Sequence, residues 1–181
     1  YQTNYFDTVD FKHFHQHRRG KLSRIKFRWR KYFESQDSFL EKKEKINTAK
    51  TIKTRFKPVK NKCFASQLEK KFQTHPLQKC LSVGYERATF YSKNTGVKIT
   101  IDRFLTLNEN LETKEIMPNF FILEVKVPKI SEQGFSVLKK FLHSHKIREI
   151  SFSKYCIGMC LKYPFLPKNK WKQVLKKYIS K

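Results

Sequence analysis

The sequence has no long hydrophobic run, few cysteines and few acidic residues. No apolar stretch approaches the roughly 18 residues that a membrane-spanning helix needs, and no signal-peptide pattern is visible. The 4 cysteines follow neither a disulfide framework nor a zinc-ligand spacing, so we expect buried, reduced thiols. These features favour a cytoplasmic domain over a membrane-embedded or disulfide-stabilised protein.

The shortage of acidic residues leaves the chain strongly positive. Only 15 Asp and Glu face 40 Lys and Arg, which gives a formal net charge of +25. Part of this excess is consistent with ordinary solvated lysines, but it also favours a polyanionic ligand or an anionic surface. The content of 17 Phe, 8 Tyr and 2 Trp argues against disorder. A length of 181 residues suits one domain, predicted here as residues 1–181.

The segment 24–32, RIKFRWRKY, alternates between cationic and apolar residues. Successive side chains of a strand point to opposite faces, so the pattern predicts one strongly basic face and one apolar face. The basic positions are Arg24, Lys26, Arg28 and Arg30, and the apolar positions are Ile25, Phe27 and Trp29. The apolar face is expected to pack in a core, which leaves the destination of the cations open.

Other predicted strands along the chain also have one charged face and one apolar face. Strands are predicted at 24–33, 37–47, 48–58, 80–91, 97–104 and 119–127, helices at 9–20, 60–75, 131–145 and 169–179, and a compact segment SFSKYCIGM near 151–159. The charged faces would carry Arg28, Arg30, Lys43, Lys53, Arg55, Arg87, Lys98, Glu124 and Lys126. Two architectures fit this pattern: a sheet with its charges in bulk water, or a closed barrel with a basic lumen.

Two other groups of residues bear on metal binding. Glu41 and Glu124 lie among the cations, as carboxylates do where a divalent metal is held together with phosphate. His13, His15 and His17 would converge only in a strand, and the segment 9–20 is predicted to be helical. A polar helix surface therefore explains these histidines better than a metal site.

Eight short motifs, in order, resemble the VTC domain. This is the polyphosphate polymerase domain of the vacuolar transporter chaperone complex and its bacterial relatives, among the triphosphate tunnel metalloenzymes. The motifs are YFDT (5–8), RIKFRWRKY (24–32), FLEKKEK (39–45), TIKTRF (51–56), YERATF (85–90), VKITIDR (97–103), ILEVK (122–126) and FSKY (152–155). The resemblance implies an α+β fold in which an antiparallel β-barrel forms a tunnel with helices packed outside.

The resemblance also implies a phosphotransferase activity and a set of site residues. The family transfers the γ-phosphoryl group of a nucleoside triphosphate to a polyphosphate chain with Mn²⁺ or Mg²⁺. By motif, the expected catalytic cations are Arg28, Arg30, Lys43, Arg87 and Lys154, and further phosphate-binding cations are Lys53, Arg55 and Lys98. Strand alternation adds Lys126 to the phosphate-binding cations. Glu124 matches the metal-binding glutamate, and Glu41 is a second candidate ligand.

Two departures from the family pattern stand out. The family's first strand is expected before YFDT, so the domain is predicted to be truncated at its N-terminus, and Lys98 replaces an arginine. The expected ligands are a nucleoside triphosphate and polyphosphate, without nucleic acid. A location at the cytoplasmic face of a membrane, through a membrane-protein partner, is a further expectation.

The sequence leaves open two alternatives to the polymerase hypothesis. One is a tunnel-type triphosphatase, and the other is a non-catalytic protein that binds polyphosphate, inositol phosphate or RNA. RNA binding would require Phe27 and Trp29 to be exposed for stacking on bases, whereas the tunnel buries them beneath helices. The burial of Trp29 therefore separates these hypotheses.

Overall fold

Eight antiparallel strands form one sheet in the computed structural model, which describes residues 1–47, 50–109, 112–128 and 132–179. The strands are β1 (Gln2–Asp7), β2 (Arg24–Lys31), β3 (Ser38–Lys45), β4 (Thr51–Phe56), β5 (Gln78–Tyr91), β6 (Lys98–Glu109), β7 (Glu112–Glu115) and β8 (Ile122–Lys126). The helices are α1 (Lys12–Arg18), α2 (Phe64–Phe72), α3 (Glu132–Ser144), α4 (Lys154–Lys162) and α5 (Lys172–Tyr178), with a 3₁₀ turn at Asn169–Trp171. The strand order is β4-β3-β2-β1-β5-β6-β7, and β8 also pairs with β6.

The first strand lies at the centre of this sheet. β1 pairs with β2 on one side and with β5 on the other, so both of its edges are occupied. Any additional strand would have to join β4 or the edge formed by β7 and β8. Two predictions stay predictions: that residues 1–181 form a single domain, and that a further strand of the family fold precedes Tyr1.

One face of the sheet packs against α2. Phe27 of β2 and Leu40 of β3 are 1% and 0% exposed, and they form a core with Leu68 of the helix. The indole ring of Trp29 stacks on Phe64, with ring centroids 5.2 Å apart and planes 15° apart. The apolar side of the alternating segment 24–32 is therefore covered, as predicted. We call this the outer face and the opposite, cationic face the inner face.

Helix α4 packs against the inner face rather than outside the sheet. Its N-terminus is capped by the Ser153 hydroxyl, which accepts a hydrogen bond from the backbone N–H of Cys156. Gly158 allows close approach to the sheet, since a Cβ there would lie 2.6 Å from a methyl carbon of Leu81. Leu81 is opposite Tyr5, and Tyr5 is opposite Arg28, so α4 and the cations share a face.

The predicted fold class, an α+β protein with a tunnel-forming antiparallel sheet, is confirmed, with several differences in detail. β1 and β7 were not predicted as strands, and residues 154–162 form a regular helix instead of an irregular segment. The placement of every helix outside the sheet is wrong for α4. Among the described strands, no backbone ladder joins β4 to β7 or β8, so the sheet curls without hydrogen-bonded closure.

Two expectations about side chains need correction. Cys80, Cys156 and Cys160 are buried free thiols as expected, but Cys63 is exposed. The helix α1 does not present a polar histidine surface, because His13 is 4% exposed and packs its ring edge-on against Phe27. Burial lowers the pKa of His13 accordingly.

The described helices are short. The longest, α3, has 13 residues, and none has both the length and the apolar character that crossing a membrane requires.

Candidate functional site

A buried carboxylate organises the cations of β2, β3 and β4. Glu41 is 0% exposed, and its two oxygens lie 2.5 Å from Arg28 Nε and 2.5 Å from Lys53 Nζ. The register places Glu41 opposite Arg28 on one side and Arg55 on the other. Burial alone would raise the pKa of Glu41, but Arg28, Lys53 and Arg30 outweigh burial and hold the pKa below its usual value.

A second buried carboxylate organises the cations of β5, β6 and α4. Asp102 accepts two hydrogen bonds from the Arg87 guanidinium, at 2.5 and 2.7 Å, and a third from the Lys154 ammonium. Burial opposes ionisation of Asp102, but the bonds from Arg87 and Lys154 hold its pKa below the usual value. The helix α4 thus delivers a lysine from its first turn into the same cluster as a strand arginine.

Two stacked tyrosines connect these clusters. The rings of Tyr1 and Tyr85 are 5.2 Å apart and nearly parallel, at 4°. The guanidinium carbons of Arg30 and Arg87 lie 5.9 and 5.3 Å from the Tyr85 ring centroid, and Lys154 Nζ lies 4.6 Å from it. Arg30 also donates a hydrogen bond to the Thr3 hydroxyl at 3.2 Å. Cations from both halves of the sheet therefore meet over one aromatic platform.

The two ends of the sheet also approach each other electrostatically. The pKa of Lys43 on β3 is lowered to about 8, first by desolvation, then by the charges of Lys26, Arg28 and Lys126, with Glu124 opposing. Lys126 and Glu124 belong to β8, which is far from β3 in the strand order. Such interactions weaken with distance, so their effect on the pKa of Lys43 agrees with the curled sheet described above. The inner face forms the concave side of that curl.

The structure brings most of the predicted site residues to this inner face. Arg28 and Lys53 pair with Glu41, and Arg87 and Lys154 pair with Asp102. Arg30 lies over the Tyr85 ring, with Lys43 and Arg55 on the same face of β3 and β4. Lys98 and Lys126 lie opposite each other in the register of β6 and β8, and both are exposed.

The contribution of Tyr85 was not predicted. It precedes Arg87 by two positions on the same strand, so the alternation that assigned Arg87 to the inner face also places Tyr85 there. The aromatic residue within the YERATF motif was the available signal.

The carboxylates differ in their capacity to bind a metal. No three His, Cys, Asp or Glu side chains converge among the described residues, and Glu41 and Asp102 each serve two cations. Glu124 is 46% exposed, with Lys126 Nζ 3.5 Å from its carboxylate. Mg²⁺ in phosphate-binding sites often uses one or two carboxylates together with phosphate oxygens and water. These residues fit a cation shared between Glu124 and a phosphate ligand, and they do not fit a cation held by the protein alone.

Comparison with known proteins identifies a family and similar solved structures. The VTC domain model matches residues 1–65 and 58–163. A search of curated proteins gives no match. The fold is similar to the crystal structure of a "putative adenylate cyclase" from Bacillus halodurans, with a TM-score of 0.50 over 84% of this chain and 78% of that chain. At 14% sequence identity, this similarity concerns the fold alone.

Proposed function

The chain belongs to the VTC domain family, and from this we propose that its tunnel binds triphosphate and polyphosphate and transfers the γ-phosphoryl group of a nucleoside triphosphate to a polyphosphate chain. The observation that carries the proposal is the meeting of cations from both halves of the sheet on one inner face. Each buried carboxylate there is shared by two cations, so positive charge remains for an anionic ligand. The cytoplasmic location and the membrane-protein partner stay predictions.

The tunnel cations suit phosphoryl transfer because this reaction depends on positioning and charge neutralisation. The guanidinium groups of Arg28, Arg30 and Arg87 can donate paired hydrogen bonds to phosphate oxygens, and Lys43 and Lys154 supply point charges. Arg28 and Arg87 are held in place by their carboxylate partners before any ligand arrives. A divalent cation bound at Glu124 together with the phosphates would neutralise charge on the leaving oxygen.

The aromatic residues of β2 argue against RNA binding. Phe27 is almost completely buried, and Trp29 stacks on Phe64 beneath α2. Base stacking needs exposed aromatic rings next to the cations. Here the rings and the cations of the same strand lie on opposite faces of the sheet, so we favour a phosphate chain as the ligand.

Activity is tested by incubating the protein with ATP and Mn²⁺ and separating the products. Growth of polyphosphate with release of ADP would support the polymerase, since the γ-phosphoryl group is then transferred to a phosphate acceptor. Release of inorganic phosphate without chain growth would identify a triphosphatase instead. Tight binding of tripolyphosphate with neither product would indicate a binding protein.

Tripolyphosphate should raise the melting temperature of the protein, because a ligand that binds only the folded state stabilises it. Arg30→Met should weaken tripolyphosphate binding by about ten- to a hundredfold, the scale of charged hydrogen bonds lost from a partly buried site. Methionine keeps the apolar volume beside Tyr85, so the fold should be retained. Calorimetric titration measures the affinity. The control is Arg103→Met, which removes the same charge from an exposed position of β6. Equal weakening by both variants would contradict a specific role for Arg30.

Tripolyphosphate affinity should fall as the pH rises through about 8, because Lys43 then loses its proton in the free protein. A bound polyanion favours the charged amine, so binding above this pH is accompanied by uptake of one proton. The affinity should therefore fall by up to about tenfold for each unit of pH increase. The measurement is the ratio of wild-type to Lys43→Arg affinity between pH 7 and 9.5, which cancels the titration of the ligand itself. Arginine stays charged throughout. A constant ratio would exclude Lys43 from the binding site.

A further inference from the structure

The inner face continues beyond Arg28 into a second basic region at one end of the strands. A cleft of about 210 Å³ lies between β2, β3, α1, α4 and the 3₁₀ turn. Its cationic lining residues are Arg24, Lys26, Lys43, Lys45 and Lys170, and no aspartate or glutamate lines it among the described residues. We call this region the basic cleft.

The strand register shows how the basic cleft differs from the tunnel centre. Arg28 lies opposite Glu41, so that position of β2 has a carboxylate partner. Lys26 lies opposite Lys43, and Arg24 lies opposite Lys45. Like charges directly opposite each other on neighbouring strands are destabilising. Two successive cross-strand pairs of cations therefore leave charge that only an external anion can neutralise.

Lys26 connects the basic cleft with the tunnel. It lies two positions from Arg28 on the same face of β2, and its ammonium donates a hydrogen bond to the Ser153 hydroxyl at 3.0 Å. Desolvation and the charges of Arg28 and Arg24 lower its pKa. Ser153 precedes Lys154, so one turn of α4 faces both regions. The cationic side chains from Arg30 to Arg24 extend roughly 20 Å along the strand without interruption.

The remaining polar groups of the basic cleft are also consistent with an anion. His17 Nε2 donates a hydrogen bond to the Ile25 carbonyl, 3.1 Å away, and the pKa of His17 is lowered to about 2, chiefly by burial and then by Lys26. The ring is therefore neutral at pH 7, and it donates from Nε2 to that carbonyl. Lys170 is positioned by a 3.1 Å bond from its ammonium to the His17 carbonyl. The side chains that surround the cleft are thus held in place without an acidic partner.

We propose that the basic cleft binds the phosphate units of a linear polyphosphate that extend beyond the part held in the tunnel, and so makes the protein prefer long chains to triphosphate. This inference rests on the proposed function, because the chain must first occupy the tunnel. A linear polyanion fits the continuous row of cations from Arg30 to Arg24 better than a compact anion does. The cleft then acts as an extension of one binding site rather than as a separate site.

The test compares tripolyphosphate with a linear polyphosphate several times longer, by calorimetric titration at fixed ionic strength. The cleft variant is Arg24→Gln/Lys45→Gln, which leaves the proposed tunnel cations unchanged. We expect it to weaken long-chain binding by about tenfold or more, as two charged contacts are lost, and tripolyphosphate binding by less than about twofold. The control is Lys31→Gln/Lys79→Gln, which removes the same charge from the opposite face of β2 and β5 and should leave both affinities nearly unchanged.

The outcomes separate this inference from the proposed function. Absence of tripolyphosphate binding in the wild-type protein would overturn the proposed function itself. Binding of tripolyphosphate with equal losses for both ligands in the cleft variant would overturn the extension and retain the tunnel. Equal weakening by the cleft and control variants would show that net charge alone, rather than this cleft, sets the preference.

Discussion

Glu124→Gln is expected to abolish metal-dependent phosphoryl transfer while tripolyphosphate binding is largely retained. Glutamine keeps the size and polarity of the side chain but removes the charge that a divalent cation needs. The cations of the inner face stay in place, and one negative charge fewer should leave anion binding unchanged or slightly stronger. We expect the rate of transfer from ATP to fall by at least about 10²-fold, the scale of one electrostatic contact to a transition state.

Two measurements make this result specific to the metal. The first is the rate of phosphoryl transfer by the variant at increasing Mn²⁺ concentration, because more Mn²⁺ should partly compensate for a weakened metal site. The second is the effect of Mn²⁺ on tripolyphosphate affinity, which Glu124→Gln should reduce. The control Glu112→Gln removes an exposed carboxylate on β7 and should change neither. Equal rates in wild type and Glu124→Gln would exclude Glu124 from the mechanism.

The sequence was sufficient to predict that the cations share one face, because strand alternation depends only on local geometry, whereas the resemblance was needed to place that face inside a tunnel. The segment 24–32 has cations at every second position, and the structure places those cations on one face and Phe27 and Trp29 on the other.

Other features depend on contacts between distant residues, which periodicity does not encode. β1 is a central strand, yet its sequence QTNYFD is largely polar. Its polar side chains find partners on neighbouring strands, as Asn4 does with the Ser82 hydroxyl at 2.8 Å. β7 is short, polar and mostly exposed, so it carries no hydrophobic pattern. The position of α4 on the inner face likewise follows from the fit of Gly158 against Leu81.

Sequence periodicity was also unable to distinguish the roles of the two glutamates in the candidate site. Glu41 and Glu124 have the same alternation and similar neighbours in sequence, so the residue pattern makes both candidates for metal binding, and the resemblance supports Glu124 only. The structure separates them by burial and partners: Glu41 is the counter-ion of Arg28 and Lys53, and Glu124 is accessible. Our proposal therefore gives metal binding to Glu124 alone.

Glu41→Gln is expected to destabilise the free protein by about 3–5 kcal/mol, because it leaves the largely buried Arg28 without its counter-ion. The effect has a defined pH dependence. The pKa of Glu41 is lowered on folding, so the wild-type stabilisation is complete above the unfolded value of 4.5 and is lost as the pH falls through the folded value. The variant lacks this contribution at every pH, so the difference in free energy of unfolding between wild type and variant should be largest above pH 4.5 and should shrink in acid. Urea unfolding from pH 3 to 7 measures both effects.

The same variant should respond more strongly to a polyanion than the wild type does. In the wild-type protein, Glu41 competes with phosphate for Arg28 and Lys53. Without its charge these cations are available to the ligand, so tripolyphosphate should restore much of the lost stability and give a larger rise in melting temperature. Glu44→Gln is the matched control, since Glu44 lies on the other face of β3 in a partly exposed pair with Lys42, and should change stability by less than about 1 kcal/mol. A smaller ligand-induced rise for Glu41→Gln, together with loss of Mn²⁺-dependent binding, would instead make Glu41 a metal ligand and would overturn its role as a counter-ion.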